Sequence, residues 1–205
     1  AVFCAVGGVE PQSETVWHQA DSYKVPKIAF VNKMDRIGAD FESVLQQMRD
    51  KLGASPLPLT IPWGAEDKFE GVIDLVHGRY LTWDQEDQGE EVHSAEIPDE
   101  MREAFETGRE ALLEAVAETD DHIMEKYLGE ENISAKELIP AIRNACCSLQ
   151  LVPVFAGSAL RNKGVQPVLD GVCAYLPSPL EVPPVKGVHP DTNEPVERGA
   201  KECDP

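Results

Sequence analysis

The sequence predicts an α/β protein: a parallel sheet with helices, interrupted by an inserted α+β unit of antiparallel strands and acidic helices. Three observations predict it. Short, unbroken apolar runs at "AVFCAV", "KIAFV" and "LVPVF" have the composition of strands buried on both faces. Amphipathic helical stretches follow each run, which is the rhythm of a parallel sheet with right-handed crossovers. Between residues 54 and 149 that rhythm gives way to short strand patterns and then to acidic helices, a span much longer than the roughly 30 residues of an ordinary crossover unit.

Taken in order, the first run ends at Gly7-Gly8, and "PQSETVWHQADSYK" places Val16, Ala20 and Tyr23 on one helical stripe with Pro11 in the opening turn. Asp40 is placed to cap "FESVLQQMRDKL", whose Phe41, Val44, Leu45, Met48 and Leu52 form an inward stripe before Gly53 stops the helix. "LPLTIP" is broken by proline. After it, "KFEGVIDLV", "RYLTW" and "EEVHSAEI" read as three strands of an antiparallel meander. A helix from near Pro98 buries Met101, Phe105, Leu112 and Val116; "DDHIMEKYL" stops at Gly129; a last helix opens at Ser134 with a capping box to Glu137. Pro140 deletes a donor early in that helix and predicts a kink or a later start. "VQPVLDGVCAYL" predicts a helix with Val165, Val168, Leu169, Val172 and Tyr175 inward. The expected organisation is therefore residues 1–53 and 150–180 as parts of one α/β domain, 54–149 as the insertion, and 181–205 as a linker. From Pro177 onward seven of the chain's 16 prolines fall, which predicts extended chain with turns. The opening in an apolar run, with neither methionine nor cap, suggests a piece of something longer.

Composition narrows the function. The formal charge is −19, and residues 84–131 hold 18 carboxylates against Arg102, Arg109 and Lys126, a net of −15. That surface repels phosphate, so direct nucleic-acid binding is not expected; a solvated helix face or a docking surface for a basic partner is. No apolar run reaches the roughly 20 residues of a membrane span, and no charged-then-apolar stretch opens these 205 residues, so export is not expected. Cys4, Cys146, Cys147, Cys173 and Cys203 are scattered, which reads as reduced thiols, mostly core filler, in a cytosolic protein. The five histidines have no metal-ligand spacing, and no metal site is expected.

Two polar words follow buried strands, where doubly wound sheets bind ligands. Asn32-Lys33-Met34-Asp35 follows "IAFV", and Gly157-Ser158-Ala159-Leu160 follows "VPVF". Guanine suits them. Its N1–H and N2–H₂ form a parallel donor pair that the Asp35 carboxylate can accept, whereas adenine opposes a lone pair to it. An unpaired buried polar group costs roughly 1–3 kcal/mol, so Asp35 would discriminate strongly. Lys33 can lay its methylene stem along the purine face. Asn32 can donate to a ring nitrogen while bracing the neighbouring loop. The amides near Ser158 and Ala159 can donate to O6.

Asn32-Lys33-x-Asp35 and Ser158-Ala159-Leu160 resemble the guanine-recognition motifs of the translational GTPases. "FCAVGGVEPQSETVW", "FVNKMDRIGADF", "KFEGVIDL", "IMEKYL", "PVFAGSALRNKGVQPVLDGV" and "YLPSPLEVPPVKG" resemble the elongation factor G family, over essentially the whole chain. The resemblance implies a partial P-loop-GTPase-type sheet, an insertion equivalent to the family's G′ subdomain, and a cytoplasmic parent that hydrolyses GTP on the ribosome during translocation of transfer and messenger RNA. It implies GTP or GDP with Mg²⁺ in that parent, Asn32, Lys33, Asp35, Ser158, Ala159 and Leu160 as guanine-binding residues, and the ribosomal stalk protein as a partner of the insertion. No Gly-x-x-x-x-Gly-Lys-Ser/Thr phosphate loop occurs in these 205 residues. No catalytic residue, metal ligand, tightly bound nucleotide or hydrolysis is therefore expected of this chain itself. Alternatives are a paralogous ribosomal protection or peptide-release GTPase, a non-catalytic acidic interaction module and an acid–base hydrolase. For the last, the carboxylates converge on no Ser, Cys or His arrangement.

Overall fold

Val2–Cys4 (β1) pairs in parallel with Ala29–Asn32 (β2) in the computed structural model, which describes residues 1–84, 89, 91–182, 184–188 and 195–199. Between them runs Pro11–Ser22 (α1), and after β2 comes Phe41–Leu52 (α2). The sheet is completed by Val152–Ala156 (β8), parallel to β2, and by Pro56–Pro58 (β3), parallel to β8, in the order β1-β2-β8-β3. β2 is buried on both faces. Ala29 and Val31 point into one core with Phe3, Trp17, Val44 and Met48, while Ile28 and Phe30 join a second core with Ile142, Ala145, Phe155 and Tyr175.

The sequence signals of α2 hold at every point. The Asp40 carboxylate accepts from the Ser43 amide at 2.9 Å, a cap worth about 1 kcal/mol. Phe41, Val44, Leu45, Met48 and Leu52 are all buried, each contributing roughly 1.5–3 kcal/mol. Gly53 ends the helix at φ 60°, a left-handed conformation that glycine adopts without a steric cost.

α1 turns differently. Val16 and Tyr23 are exposed, and the inward residue is Trp17, packed on Phe3 at 5.9 Å between ring centroids with the Lys27 ammonium over its ring. A wide indole one position from Val16 fills the space under the helix, and the predicted stripe rotates outward.

A second sheet is antiparallel throughout: Thr60–Trp63 (β4), Gly71–Asp74 (β5), Arg79–Trp83 (β6) and Val92–Ala95 (β7), in that order. It has one strand more than the sequence suggested, because "LPLTIP" supplies two strands to two different sheets. β3 ends at Pro58 in the parallel sheet and β4 begins at Thr60 in the antiparallel one. Two prolines survive in β3 because it is an edge strand with a single neighbour.

Arg102–Ala117 (α3), Asp121–Leu128 (α4) and Ala135–Cys147 (α5) follow. Met101, Leu112 and Val116 are buried and Phe105 is partly so. Arg109 anchors this layer: its guanidinium donates to the carbonyls of Leu75 at 2.7 Å and Val76 at 3.1 Å on the antiparallel side, and of Ile133 at 2.7 Å before α5. α5 has the predicted Ser134–Glu137 capping box. It runs unbroken through Pro140, neither starting later nor stopping there. Pro140 costs only the donor for the Lys136 carbonyl, and both residues are exposed, so that carbonyl is open to solvent.

Val165–Tyr175 (α6) follows β8 and buries Gly171 and Tyr175. Leu169 and Val172, predicted inward, are exposed at 60% and 43%. The ring of Phe155 lies where a Cβ on Gly171 would sit, 2.4 Å away, so the closest approach of helix to sheet is through Gly171 rather than through a branched side chain. Arg143 ties α5 to the end of α6 by donating to the carbonyls of Ala174 and Leu176 at 3.0 and 2.9 Å. Val185–Val188 (β9) and Pro195–Arg198 (β10) form an antiparallel ribbon, so this proline-rich stretch is paired as well as extended. Of the cysteines, Cys146 is buried, Cys4 and Cys147 are half-buried and Cys173 is exposed; the core-filler reading fits Cys146 alone, and Cys203 lies outside the described residues. Among the described residues no helix is long and apolar enough to cross a membrane.

Candidate nucleotide-base site

The two polar words emerge side by side because their strands, β2 and β8, are neighbours. Main-chain bonds zip the exits together: the Gly157 amide donates to the Val31 carbonyl at 3.0 Å and the Met34 amide to the Gly157 carbonyl at 3.1 Å. Beyond them each loop turns sharply. Lys33 adopts φ 69°, a left-handed conformation that is costly for a residue with a Cβ and that recurs at functional sites. The second loop closes through reciprocal bonds between Ser158 and Lys163, at 2.9 Å and 3.0 Å, around a short turn over Ala159–Arg161. Gly164, at φ 80°, follows; a Cβ there would lie 2.4 Å from the Ala156 carbonyl oxygen.

Asn32 joins the loops. Its Oδ1 accepts from its neighbour's amide, Lys33, at 2.8 Å and from the Ala159 amide at 2.9 Å, across 127 residues of sequence. Both partners are N–H donors, which identifies the atom facing them as oxygen. The Asn32 NH₂ group is thereby left directed away from them. Asp35 has a side chain only 6% exposed, and its carboxylate lies 3.4 Å from the Arg161 Nε, an ion pair from the second loop to the first. Ser158 is fully buried and its hydroxyl has no hydrogen-bond partner among the described residues. Lys33 is exposed, and Leu160 is 80% exposed, an apolar side chain at the mouth of the site.

All six sequence-predicted residues therefore lie on two touching loops. One detail differs. The Ser158 and Ala159 amides, expected to donate to a base carbonyl, are engaged within the protein, by Lys163 and Asn32 respectively. The short loop closes on itself, and Asn32 supplies the acceptor that a base was expected to supply.

Sequence reasoning missed Arg161, Glu66 and Lys163. Arg161 directly follows the Ser-Ala-Leu word and answers the charge of Asp35. Glu66 accepts from the Gly38 amide through Oε1 at 2.8 Å, and its own amide donates to the Met34 carbonyl at 2.8 Å. Lys163 is only 7% exposed and donates to the carbonyls of Phe69 and Glu70 at 3.1 and 3.2 Å. Burial, with the charge of nearby Arg161, lowers its pKa from the usual lysine value.

The sequence pattern of the elongation factor Tu GTP-binding domain matches residues 1–178. The chain is 52% identical over 204 residues to elongation factor G 2 of Syntrophus aciditrophicus (strain SB), covering 100% of this chain and 30% of that protein. It is also 52% identical over 195 residues to elongation factor G of Amoebophilus asiaticus (strain 5a2), covering 95% of this chain and 28% of the relative. The chain thus spans under a third of the length of these relatives. A crystal structure of a Thermus thermophilus protein superposes with a TM-score of 0.77 at 34% identity, over 92% of this chain and 28% of that one. A mixed fold of one parallel and one antiparallel sheet, two loops carrying the guanine-type words, and a pattern match over most of the length agree: this chain belongs to the family of the elongation factor Tu GTP-binding domain, the GTP-binding domain of translational GTPases.

Proposed function

We propose that this chain is the guanine-reading part of an elongation factor G, a ribosome-dependent GTPase that promotes translocation of transfer and messenger RNA in the cytoplasm. The observation that supports it best is the Asn32–Ala159 bond: one amide side chain locks two strand-end loops into a single site and leaves its NH₂ group for a purine ring nitrogen. Beside it, the Asp35 carboxylate is the acceptor for guanine N1–H and N2–H₂, and the Lys33 stem lies along the base. Arg161 shields Asp35 and must yield as the base arrives.

Selection of nucleotide is the task of these residues. Hydrolysis is not, since these 205 residues contain no phosphate loop to cradle the β- and γ-phosphates. The Mg²⁺ of the parent would travel with the phosphates. Of the expected insertion 54–149, residues 56–58 belong to the parallel sheet, so the family's inserted subdomain is taken to run from Thr60 to residue 149, with the ribosomal stalk protein as its partner by family resemblance.

The test is a titration of the chain with GMP and with AMP, followed by backbone NMR. GMP is expected to shift the amides of residues 32–38 and 157–164 with a millimolar Kd, about −4 kcal/mol, and AMP to leave them in place. Asp35→Ala should abolish the difference. Equal responses to the two nucleotides would refute the reading.

A further inference from the structure

We infer that the connection between β4 and β5, residues 64–70 of the antiparallel sheet, is a clasp that sets the spacing of the two base-reading loops, with Glu66 and Lys163 as its positioning residues. The inference rests on the guanine reading above and assigns a role to residues outside both motifs. Two loops that converge from separate strands can drift apart beyond the point where main-chain bonds hold them. Here a third segment grips both. Glu66 takes the first loop by two bonds, its carboxylate to the Gly38 amide and its amide to the Met34 carbonyl, each 2.8 Å. Three residues later the carbonyls of Phe69 and Glu70 receive the ammonium of Lys163, the residue that closes the second loop by its reciprocal bonds to Ser158.

The clasp is itself constrained. Gly64 and Glu66 both hold left-handed backbone, at φ 76° and 60°, and a Cβ on Gly64 would fall 1.9 Å from the Lys68 carbonyl oxygen. Gly64 adopts this conformation freely, but Glu66 carries a Cβ, and its strain persists only where surrounding bonds over-determine it. Gly89, between β6 and β7, also touches this region: its carbonyl accepts from Asn162 Nδ2 of the second loop at 3.0 Å and from Gln166 Nε2 at the start of α6 at 2.9 Å. A buried lysine is an expensive way to fill space. Its Nζ reaches two carbonyls of one turn, and an apolar side chain could not pull that turn against the loop.

The position of Asp35 relative to Ser158 should therefore depend on Glu66 and Lys163, although neither touches the base. The consequence is readable with IMP, which lacks the N2 amine and so forfeits one of the two donors that Asp35 accepts. The experiment compares the unaltered chain with Glu66→Ala, Glu66→Gln and Lys163→Met in two assays. Amide hydrogen exchange without nucleotide reads the clasp alone: Gly38 should exchange at least tenfold faster in Glu66→Ala, and the 158–163 loop likewise in Lys163→Met. Titration with GMP and IMP reads its effect on recognition: the GMP-to-IMP affinity ratio should fall at least threefold in Glu66→Ala and Lys163→Met. Glu66→Gln, which keeps the Oε1 acceptor, should match the unaltered chain in both assays. A merely structural role would lower the melting temperature and leave the ratio alone; that result, or unchanged exchange in the folded variants, overturns the inference. If the unaltered chain does not prefer GMP to IMP while exchange responds as expected, the clasp exists but the guanine reading, and the positioning role with it, falls.

Discussion

Thr60 marks the point where the chain leaves one sheet for the other, and replacing it by valine tests how the two are joined. β3 stops at Pro58, so β8 has no strand partner beyond Val154 on that side. The Leu59 amide makes one more bond, to the Val154 carbonyl at 2.8 Å, and then the backbone departs into β4. The Ala156 amide would be orphaned, and the Thr60 hydroxyl accepts from it instead, at 3.0 Å in a fully buried setting. Thr60 is 2% exposed, so water cannot replace the lost acceptor. Thr60→Val keeps the shape and removes the oxygen, which leaves a buried donor unpaired at a cost of about 1–3 kcal/mol. Thr60→Ser keeps the oxygen and removes one methyl group, at a cost of about 1 kcal/mol. The order of the two variants is the diagnostic. In urea unfolding with a slope of about 2–3 kcal/mol/M, a loss of about 2 kcal/mol lowers the midpoint by roughly 0.7–1 M for valine, with serine falling between it and the parent. A valine variant at or above the parent midpoint, or a serine variant below the valine one, would show that the hydroxyl bond does not hold the crossing.

Two further outcomes are expected. Hydrogen bonds from Lys126 and from the Ser134 hydroxyl and amide pull the Glu137 carboxyl from its ordinary value down to about 2; a depressed carboxyl stabilises the fold above the unfolded value near 4.5, and that contribution is lost as pH falls towards 2. Melting temperatures from pH 7 to 2 should therefore drop more steeply for the parent than for Glu137→Gln, and parallel curves would count against the pairing. Burial raises the Cys146 thiol to about 11, while Cys173 is exposed. Alkylation at pH 8 followed by mass spectrometry should label Cys173 well before Cys146, which reacts only as the protein unfolds, and early labelling of Cys146 would contradict the packing of α5.

What could be read from the sequence follows from how local each signal is. α2 was legible end to end, because its cap, stripe and stop all act within one helix. The strand β2 and the words after β2 and β8 were legible for the same reason. α1 and α6 were misread where periodicity leaves two rotations open: the choice fell to Trp17 packing on Phe3 and to Phe155 pressing on Gly171, contacts with strands outside each helix. β3 was hidden because its prolines suppress the strand pattern, and only its edge position accommodates them. At the site, the words that read a base were visible while the residues that hold them were not. Glu66 is one of 37 acidic residues, and nothing in its neighbours marks it as the one that reaches Gly38. The engagement of the Ser158 and Ala159 amides was likewise invisible, because it depends on how tightly the second loop closes.

The 127 residues that separate Asn32 from Ala159 also impose a schedule on the newborn chain. At about 5–20 residues per second, the ribosome needs roughly 6–25 s to deliver the second loop after the first has been made. Through that interval β2 has β1 on one side and nothing on the other, for β8 does not yet exist. An apolar strand waiting so long with an open edge is a natural client for chaperones, and slowing synthesis within the intervening segment should prolong that dependence.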